Sequence, residues 1–162
     1  EQFRPSHKRG VNKALQHGVQ IKMSEDFDSF YKILKNNLNI RHGVSPTHTL
    51  RELKRLSDLF PKKINLFAAY LDGIMIAGVV NFQINDDVVL AFYISHSEKY
   101  SEYRSLNLLF ATIFDWAIKS KVRIYDFGIF TVDGVPNMGL GRFKENFGAS
   151  GIFRDTIELV IG

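Results

Sequence analysis

Polar side chains that could move protons stand at two points inside otherwise apolar sequence. Tyr93, Ser95 and His96 close one apolar run, and Asp126 interrupts another. A histidine can accept a proton near neutral pH, because its unperturbed pKa is about 6.5. A carboxylate in an apolar strand has to be paired or perturbed, since burying an isolated charge is costly. We therefore predict His96, Tyr93 and Asp126 as catalytic residues.

Each of these residues also has a structural interpretation. A loop histidine is often only solvated, Tyr93 could pack in the core, and Asp126 could pair with a backbone donor or an arginine. The five histidines are scattered without a pair at ligand spacing, so no metal site is predicted. The chain has no cysteine, which excludes thiolate ligands and a cysteine nucleophile. The sequence also lacks the P-loop and nucleophile-elbow patterns.

A third set of polar residues flanks a short helix predicted around 139–147. Asn137, Arg142 and Lys144 could bind a substrate or its phosphates, and we predict them as substrate-binding residues. The alternative is that they are solvated, as charged residues on helix surfaces usually are.

The hydrophobic pattern predicts the elements that must position these residues. Strands are predicted at 19–23, 64–71, 74–84, 88–95, 122–130 and 152–160. Helices are predicted at 5–17, after a cap at Ser24, after a capping box of Thr49 and Glu52, at 104–119 and around 139–147. Residues 96–103 are expected to form a loop. The predicted order is therefore β-α-α-β-β-β-α-β-α-β.

This order specifies a mixed sheet. Asp72-Gly73 lies between two apolar runs and indicates a tight hairpin. Strand, helix and strand from 88 to 130 indicate a parallel crossover. The middle strands are apolar on both faces, so helices should cover both sides of the sheet. We predict an α/β (α+β) fold class with three layers.

The basic character of the chain is confined to its N-terminal segment. The net charge is +4, and residues 1–22 carry five Lys or Arg against one Glu, while the rest is balanced. Such a segment could meet phosphate or an acidic partner, or could simply be a solvated helix face. No apolar run approaches the roughly 20 residues of a membrane helix, so no membrane span is predicted. We expect a cytoplasmic protein.

The predicted order and several short motifs resemble the GNAT superfamily of N-acetyltransferases. At residue level the chain is similar to its Fem-type branch, which includes aminoacyltransferases that build peptidoglycan bridges. The motifs are Gly18-Val19 after a basic helix, Asp72-Gly73, Tyr125-Asp126-Phe127-Gly128, Asn137 with Gly139-Leu140, and 143–149 (FKENFGA). Fem-type members often contain two tandem GNAT domains. Two alternatives therefore stay open: a single domain over 1–162, with a basic helix at 1–18, or a fragment of a longer two-domain protein.

The resemblance implies acyl transfer with acyl-CoA bound between the fourth and fifth core strands. In the superfamily the pyrophosphate lies at the loop entering the next helix, which here is 97–105. The family's glycine-rich loop is absent from this segment. The resemblance assigns donor binding to the polar residues there and just before it, namely Ser95, Ser97, Lys99, Arg104 and Ser105.

We therefore expect an N-acyltransferase that passes an acetyl or aminoacyl group from acyl-CoA or aminoacyl-tRNA to a primary amine by direct attack. The acceptor could be a small molecule or a peptidyl amine, and a tRNA could dock on the basic N-terminal segment. One alternative is a catalytically inactive GNAT-shaped module that supports a partner. A second GNAT domain or a homodimer is the expected assembly.

Overall fold

The structure, a computed structural model, describes residues 4–132, 134–153, 155 and 157–159, without the side chains of 41, 42 and 132. Five α-helices are described: α1 Pro5–Gln16, α2 Phe27–His42, α3 Leu50–Leu59, α4 Ser105–Lys119 and α5 Met138–Glu145. The described strands are β1 Gln20–Ser24, β2 Ile64–Leu71, β3 Ile74–Gln83, β4 Val88–His96, β5 Ile124–Asp126, β6 Thr131–Val132 and β7 Val135–Pro136. In this part of the chain, no helix combines the length and apolar character that crossing a membrane requires.

Five strands form one mixed sheet in the order β1-β2-β3-β4-β5. The first four strands pair antiparallel with one another, and β5 runs parallel to β4. The hairpin between β2 and β3 forms as predicted, because Asp72 and Gly73 both adopt positive φ angles, 50° and 78°. A tight turn with two left-handed residues matches the twist of the paired strands. The predicted mixed sheet is confirmed.

Helices cover both faces of the sheet, as the two-sided apolar strands predicted. On one face, α1 and α4 pack on a core that includes Ala14, Phe110 and Ile113. On the other, α2 and α3 pack on a core that includes Phe30 and Leu53. These five side chains are completely buried. The three-layer fold class is confirmed.

Two predicted strands differ from the structure. The strand predicted at 122–130 is only three residues long, because Gly128 N–H donates to Asp126 Oδ1 at 2.7 Å and Gly128 has a φ of 68°. This turn takes the chain away from the sheet. The final strand predicted at 152–160 is wrong for its described residues, which are not in a strand. Residues 154, 156 and 160 of that segment lie outside the described residues.

Local hydrogen bonds explain the smaller differences. The helix cap predicted at Ser24 is wrong: Asp26 caps α2 by accepting a hydrogen bond from Ser29 N–H at 2.9 Å. The capping box of Thr49 and Glu52 is confirmed. The predicted loop at 96–103 contains a 3₁₀ helix, Glu98–Tyr103. β6 and β7 pair as a short hairpin that the sequence did not predict.

Candidate active site

β4 and β5 separate soon after they meet. Residues 88–90 pair with 124–126, and among the described residues no later pairing joins the two strands, although β4 continues to His96. A β-bulge lies just beyond the last paired residue, because Val80 pairs with Tyr93 while Asn81 pairs with Ala91. Bulges bend a strand and re-aim its side chains. Among the described residues, the second half of β4 is therefore unpaired on its β5 side, and we call this unpaired stretch the split.

The loop that follows β5 is held by a buried lysine from α5. Lys144 is 7% exposed, and its Nζ donates to the carbonyls of Gly128 at 2.9 Å and Ile129 at 2.5 Å. Burial lowers the pKa of Lys144, and the nearby carboxylate of Asp126 partly opposes this shift. Asp126 and Lys144 together thus fix the backbone on the β5 side of the split.

A cleft of about 710 Å³ opens on the α1 and α4 face, a volume in the range of small-molecule sites. His96 at the end of β4 is one of its walls. The lining residues come from four elements and the segment before α4: Ser6, His7, Arg9, Gly10, Lys13, His96, Ser101, Arg104, Ser105, Leu106, Asn107, Gly139, Arg142, Phe143 and Asn146. None of these described lining residues is Asp or Glu. The cleft is therefore strongly basic.

The backbone just before α4 adopts a left-handed conformation that glycine usually provides, although the residue there is an arginine. Arg104 precedes the first residue of the helix with φ 54° and ψ 33°, in the left-handed region that non-glycine residues rarely adopt. Arg104 lines the cleft. A strained residue at a cleft indicates a functional constraint, because the surrounding structure must stabilise the strain.

His7 is fixed in one tautomer at the contact between α1 and α4. The Nδ2 atom of Asn107 lies 2.7 Å from His7 Nδ1 and can only donate, so Nδ1 accepts and Nε2 carries the proton of the neutral ring. The ring also packs edge-on against Phe147, with centroids 4.4 Å apart. Burial, followed by the positive charges of Arg104 and Arg4, lowers the pKa of His7.

The structure brings together four of the predicted site residues. His96, Arg104, Ser105 and Arg142 all line the basic cleft. His96 Nε2 also lies 3.8 Å from a carboxylate oxygen of Glu98. These four residues remain candidates for the site.

Tyr93 and Ser95 lie on the other face of the sheet, against α2 and the loop before α3. The backbone N–H of His48 donates to the Tyr93 hydroxyl at 3.1 Å, and His48 Nδ1 lies 3.0 Å from the same oxygen. Asn37 Nδ2 donates to Ser95 Oγ at 2.9 Å and to the carbonyl of His96 at 2.7 Å. The bulge accounts for this placement, because it changes which side chains of β4 face each helical layer.

The remaining predicted residues make local contacts. Ser97 N–H donates to the carbonyl of Ile76 at 2.8 Å. Lys99 is exposed and lies over the ring of Tyr100, 5.2 Å from its centroid. Asn137 caps α5 by accepting from Leu140 N–H at 3.0 Å. Their predicted binding roles, like that of Lys144, stay predictions.

Sequence reasoning missed His7, Arg9, Lys13 and Asn107 as cleft residues. A signal was present, because residues 6, 9, 10 and 13 share one face of a helix by their spacing. That spacing does not reveal which element the face would meet. Among the described residues, no group of three or more His, Asp or Glu side chains could hold a metal ion.

The family of the chain follows from a comparison of sequences. A family model described as "Acetyltransferase (GNAT) domain" matches residues 1–145. The chain therefore belongs to the GNAT acetyltransferase-domain family. The sequence-based resemblance to this family is confirmed. A search of curated proteins finds no match to this sequence.

Solved structures share the fold at low sequence identity. FemX superposes with a TM-score of 0.77 at 15% identity, over 91% of this chain and 54% of FemX. The chain thus spans about half the length of FemX. A possible acetyltransferase from Clostridium difficile 630 gives 0.69 at 13% identity, over 88% and 97% of the two chains. AAC(6')-Iy in complex with a CoA bisubstrate analogue gives 0.64 at 14%, over 88% and 98%.

Proposed function

We propose that this chain is an acyltransferase that moves an acyl group from acyl-CoA or aminoacyl-tRNA to a primary amine at the split between β4 and β5. The observation that carries the proposal is the position of the split beside the basic cleft. His96 ends β4 and lines the cleft, so a donor with phosphates in the cleft could extend its acyl group along the open part of β4. The β4 edge beyond Leu90 has no β5 partner among the described residues.

The chemistry of the step requires no covalent bond to the protein. The lone pair of a neutral amine attacks the acyl carbon, and the bond from that carbon to the sulfur of CoA, or to the ribose oxygen of tRNA, breaks. The amine loses a proton and the leaving group gains one. We assign proton removal to His96, which is half-buried and lies beside Glu98. The absence of cysteine is compatible with direct attack.

The cleft fits the phosphates of acyl-CoA, which GNAT acetyltransferases use as the acyl donor. Arg104, Arg142 and Ser105 line it, and Ser105 begins α4, where backbone N–H groups also favour anions. The same groups would suit the 3′ end of a tRNA. Both donors therefore belong to the proposal, and the experiment must separate them.

Donor binding is the first test, measured by titration calorimetry with acetyl-CoA, coenzyme A and a charged tRNA. Turnover is measured with acetyl-CoA and a panel of primary amines by release of the CoA thiol. The chain has no cysteine, so it contributes no thiol background. We expect one donor class to bind and to be consumed only when an amine is present. Binding of none of the three would contradict the proposal.

The Asp126→Asn variant distinguishes the hypothesis of an active enzyme from that of an inactive scaffold. The amide oxygen can still accept from Gly128 N–H, so folding should persist, while the negative charge beside Lys144 is lost. We expect turnover to fall by about 10²-fold if Asp126 sets the charge of the site. Asp115→Asn, at an exposed acid outside the cleft, is the matched control and should retain activity.

The second candidate function is an inactive module that supports another domain or partner. It is favoured by the engagement of the predicted catalytic Tyr93 with His48 on the opposite face. Full activity of a parent protein after deletion of this domain would favour the module. The proposal also includes a second GNAT domain in that parent protein. It further includes a cytoplasmic location, where both donors are made.

A further inference from the structure

α1 presents two different faces to two different cavities. Residues 6, 9, 10 and 13 line the basic cleft, whereas residues 8, 11 and 12 line a separate, mainly apolar groove of about 620 Å³. Arg9 and Lys13 are cationic and exposed, and with Ser6, His7 and Gly10 they are the five residues of α1 that line the cleft. The basic character of the N-terminal segment is thus partly concentrated on one wall of the cleft.

The position of α1 is fixed by a close approach to α4. Gly10 is buried, and a Cβ atom there would lie 2.7 Å from Asn107 Cγ. Only a residue without a side chain fits this contact. Asn107 is also the residue that donates to His7 Nδ1, so one carboxamide packs on the α1 backbone and orients a cleft side chain. The cations of α1 are therefore held at a defined distance from α4.

Two further cations face those of α1 from other elements. Arg104 extends from the strained residue before α4, and Arg142 extends from α5. The carboxylate of Glu98 lies beside His96, at the β4 side of the cleft. An anion is therefore expected on the side formed by α1, α4 and α5. Four cationic side chains, Arg9, Lys13, Arg104 and Arg142, thus line the cleft, and an anion would be attracted to them.

We propose that α1 is half of a phosphate-binding site, in which Arg9 and Lys13 act with Arg104 and Arg142 on a pyrophosphate or phosphodiester. This site replaces the glycine-rich loop that the sequence lacks before α4. Side-chain cations from a neighbouring helix supply the favourable charge that a glycine loop supplies through backbone N–H groups. The inference rests on the proposed function only in identifying the anion as part of the acyl donor.

Inorganic pyrophosphate is the probe, and it is titrated calorimetrically into the whole chain at constant ionic strength. Sulfate serves as a second probe, because its charge stays constant from about pH 6 to 8. Arg9→Gln/Lys13→Gln should weaken pyrophosphate binding by about tenfold or more, because charge-assisted hydrogen bonds are lost. Lys8→Gln/Lys22→Gln removes the same charge from the same segment but outside the cleft. This control should change the affinity by less than about threefold.

Equal weakening in both double variants would overturn the inference, because the effect would then be diffuse electrostatics. Absence of pyrophosphate binding by the wild-type chain would also overturn it. Circular dichroism and thermal unfolding check the fold, and Arg142→Gln repeats the test from α5 if the α1 variant is unfolded. Pyrophosphate binding without turnover of any donor would contradict the proposed function alone. Turnover without pyrophosphate binding would contradict this inference alone.

Discussion

At the scale of single residues, two non-glycine residues with left-handed backbone allow an effect on stability to be distinguished from an effect on binding. Arg104 and Lys121 have φ angles of 54° and 60°, and each precedes or follows α4. Such a conformation costs a non-glycine residue roughly 1–2 kcal/mol. Arg104 lines the cleft, whereas Lys121 does not. Of these two strained residues, only Arg104 is therefore placed to contact a ligand in the cleft.

We predict that Arg104→Gly and Lys121→Gly each raise the free energy of unfolding by about 0.5–1 kcal/mol, after the greater chain entropy of unfolded glycine is subtracted. Only Arg104→Gly should also weaken pyrophosphate binding. Urea unfolding and calorimetric titration of both variants measure the two effects. Unchanged pyrophosphate affinity in Arg104→Gly would contradict a binding role for this arginine.

His7 makes the stability of the fold depend on pH. Arg104 and Arg4 are the charged groups that lower its pKa after burial, while Asn107 and the Phe147 ring contact the imidazole directly. A pKa below the unfolded value of about 6.5 means that the unfolded chain binds more protons in this range. The stabilising contribution is therefore present above about pH 6.5 and is lost as the pH falls through the pKa of the folded state.

We predict that His7→Gln flattens the decline in unfolding free energy between about pH 7.5 and pH 5.5. Gln16→Ala, at an exposed residue without a titratable group at the end of α1, is the control and should keep the wild-type slope. Urea unfolding at several pH values provides the measurement. An identical slope in wild type and His7→Gln would show that His7 does not carry the linkage.

At the scale of elements, α2 packs closely on the sheet because Gly78 in β3 has no side chain. Gly78 is buried in β3, and a Cβ atom there would lie 2.6 Å from Phe30 Cδ2 and 3.1 Å from Leu66 Cδ1. Phe30 is completely buried and cannot move without displacing its helix. The Phe30 ring of α2 therefore rests directly on the backbone of β3.

We predict that Gly78→Ala lowers the free energy of unfolding by about 1–3 kcal/mol, since added atoms overpack a filled core. Gly151→Ala is the control, because a Cβ atom at that exposed position meets nothing within 4 Å. Thermal unfolding of the two variants makes the comparison. Equal stability of Gly78→Ala and wild type would mean that α2 adjusts without cost.

Stability across the whole molecule should decrease from the centre of the sheet toward the split. β2 and β3 pair with neighbours on both sides, whereas β5 joins the sheet through three residue pairs. A hydrogen bond from the Tyr125 hydroxyl to Asn81 Oδ1, 2.6 Å long, adds a link from β5 to β3. Asn81 is completely buried, so its carbonyl depends on this donor.

We predict that hydrogen exchange is slower in β2 and β3 than in β5, because segments with fewer stabilising contacts open locally more often. Tyr125→Phe should accelerate exchange in β5 and cost about 1–3 kcal/mol, the usual penalty for a buried acceptor without a donor. Tyr103→Phe is the control, at a half-buried ring that packs edge-on against His17. Unchanged exchange in β5 of Tyr125→Phe would remove Tyr125 from this role.

The sequence by itself determined the order of the elements from α1 to β5, the two-sided sheet and the hairpin at Asp72-Gly73. These features follow from apolar periodicity, turn chemistry and capping, which act between residues close along the chain. The same local patterns predicted too long a fifth strand, because the turn formed by Asp126 and Gly128 depends on the loop that Lys144 holds.

Only the tertiary structure decided which residues form the site. His7 and Asn107 are separated by 100 positions, yet their contact fixes the basic helix against α4. The bulge in β4 placed Tyr93 and Ser95 on the face away from the cleft. Local periodicity states that a helix has a charged face, but the packing of several elements decides what that face meets. That is the physical reason why the fold and part of the cleft lining could be predicted, whereas the contribution of α1 to that lining could not.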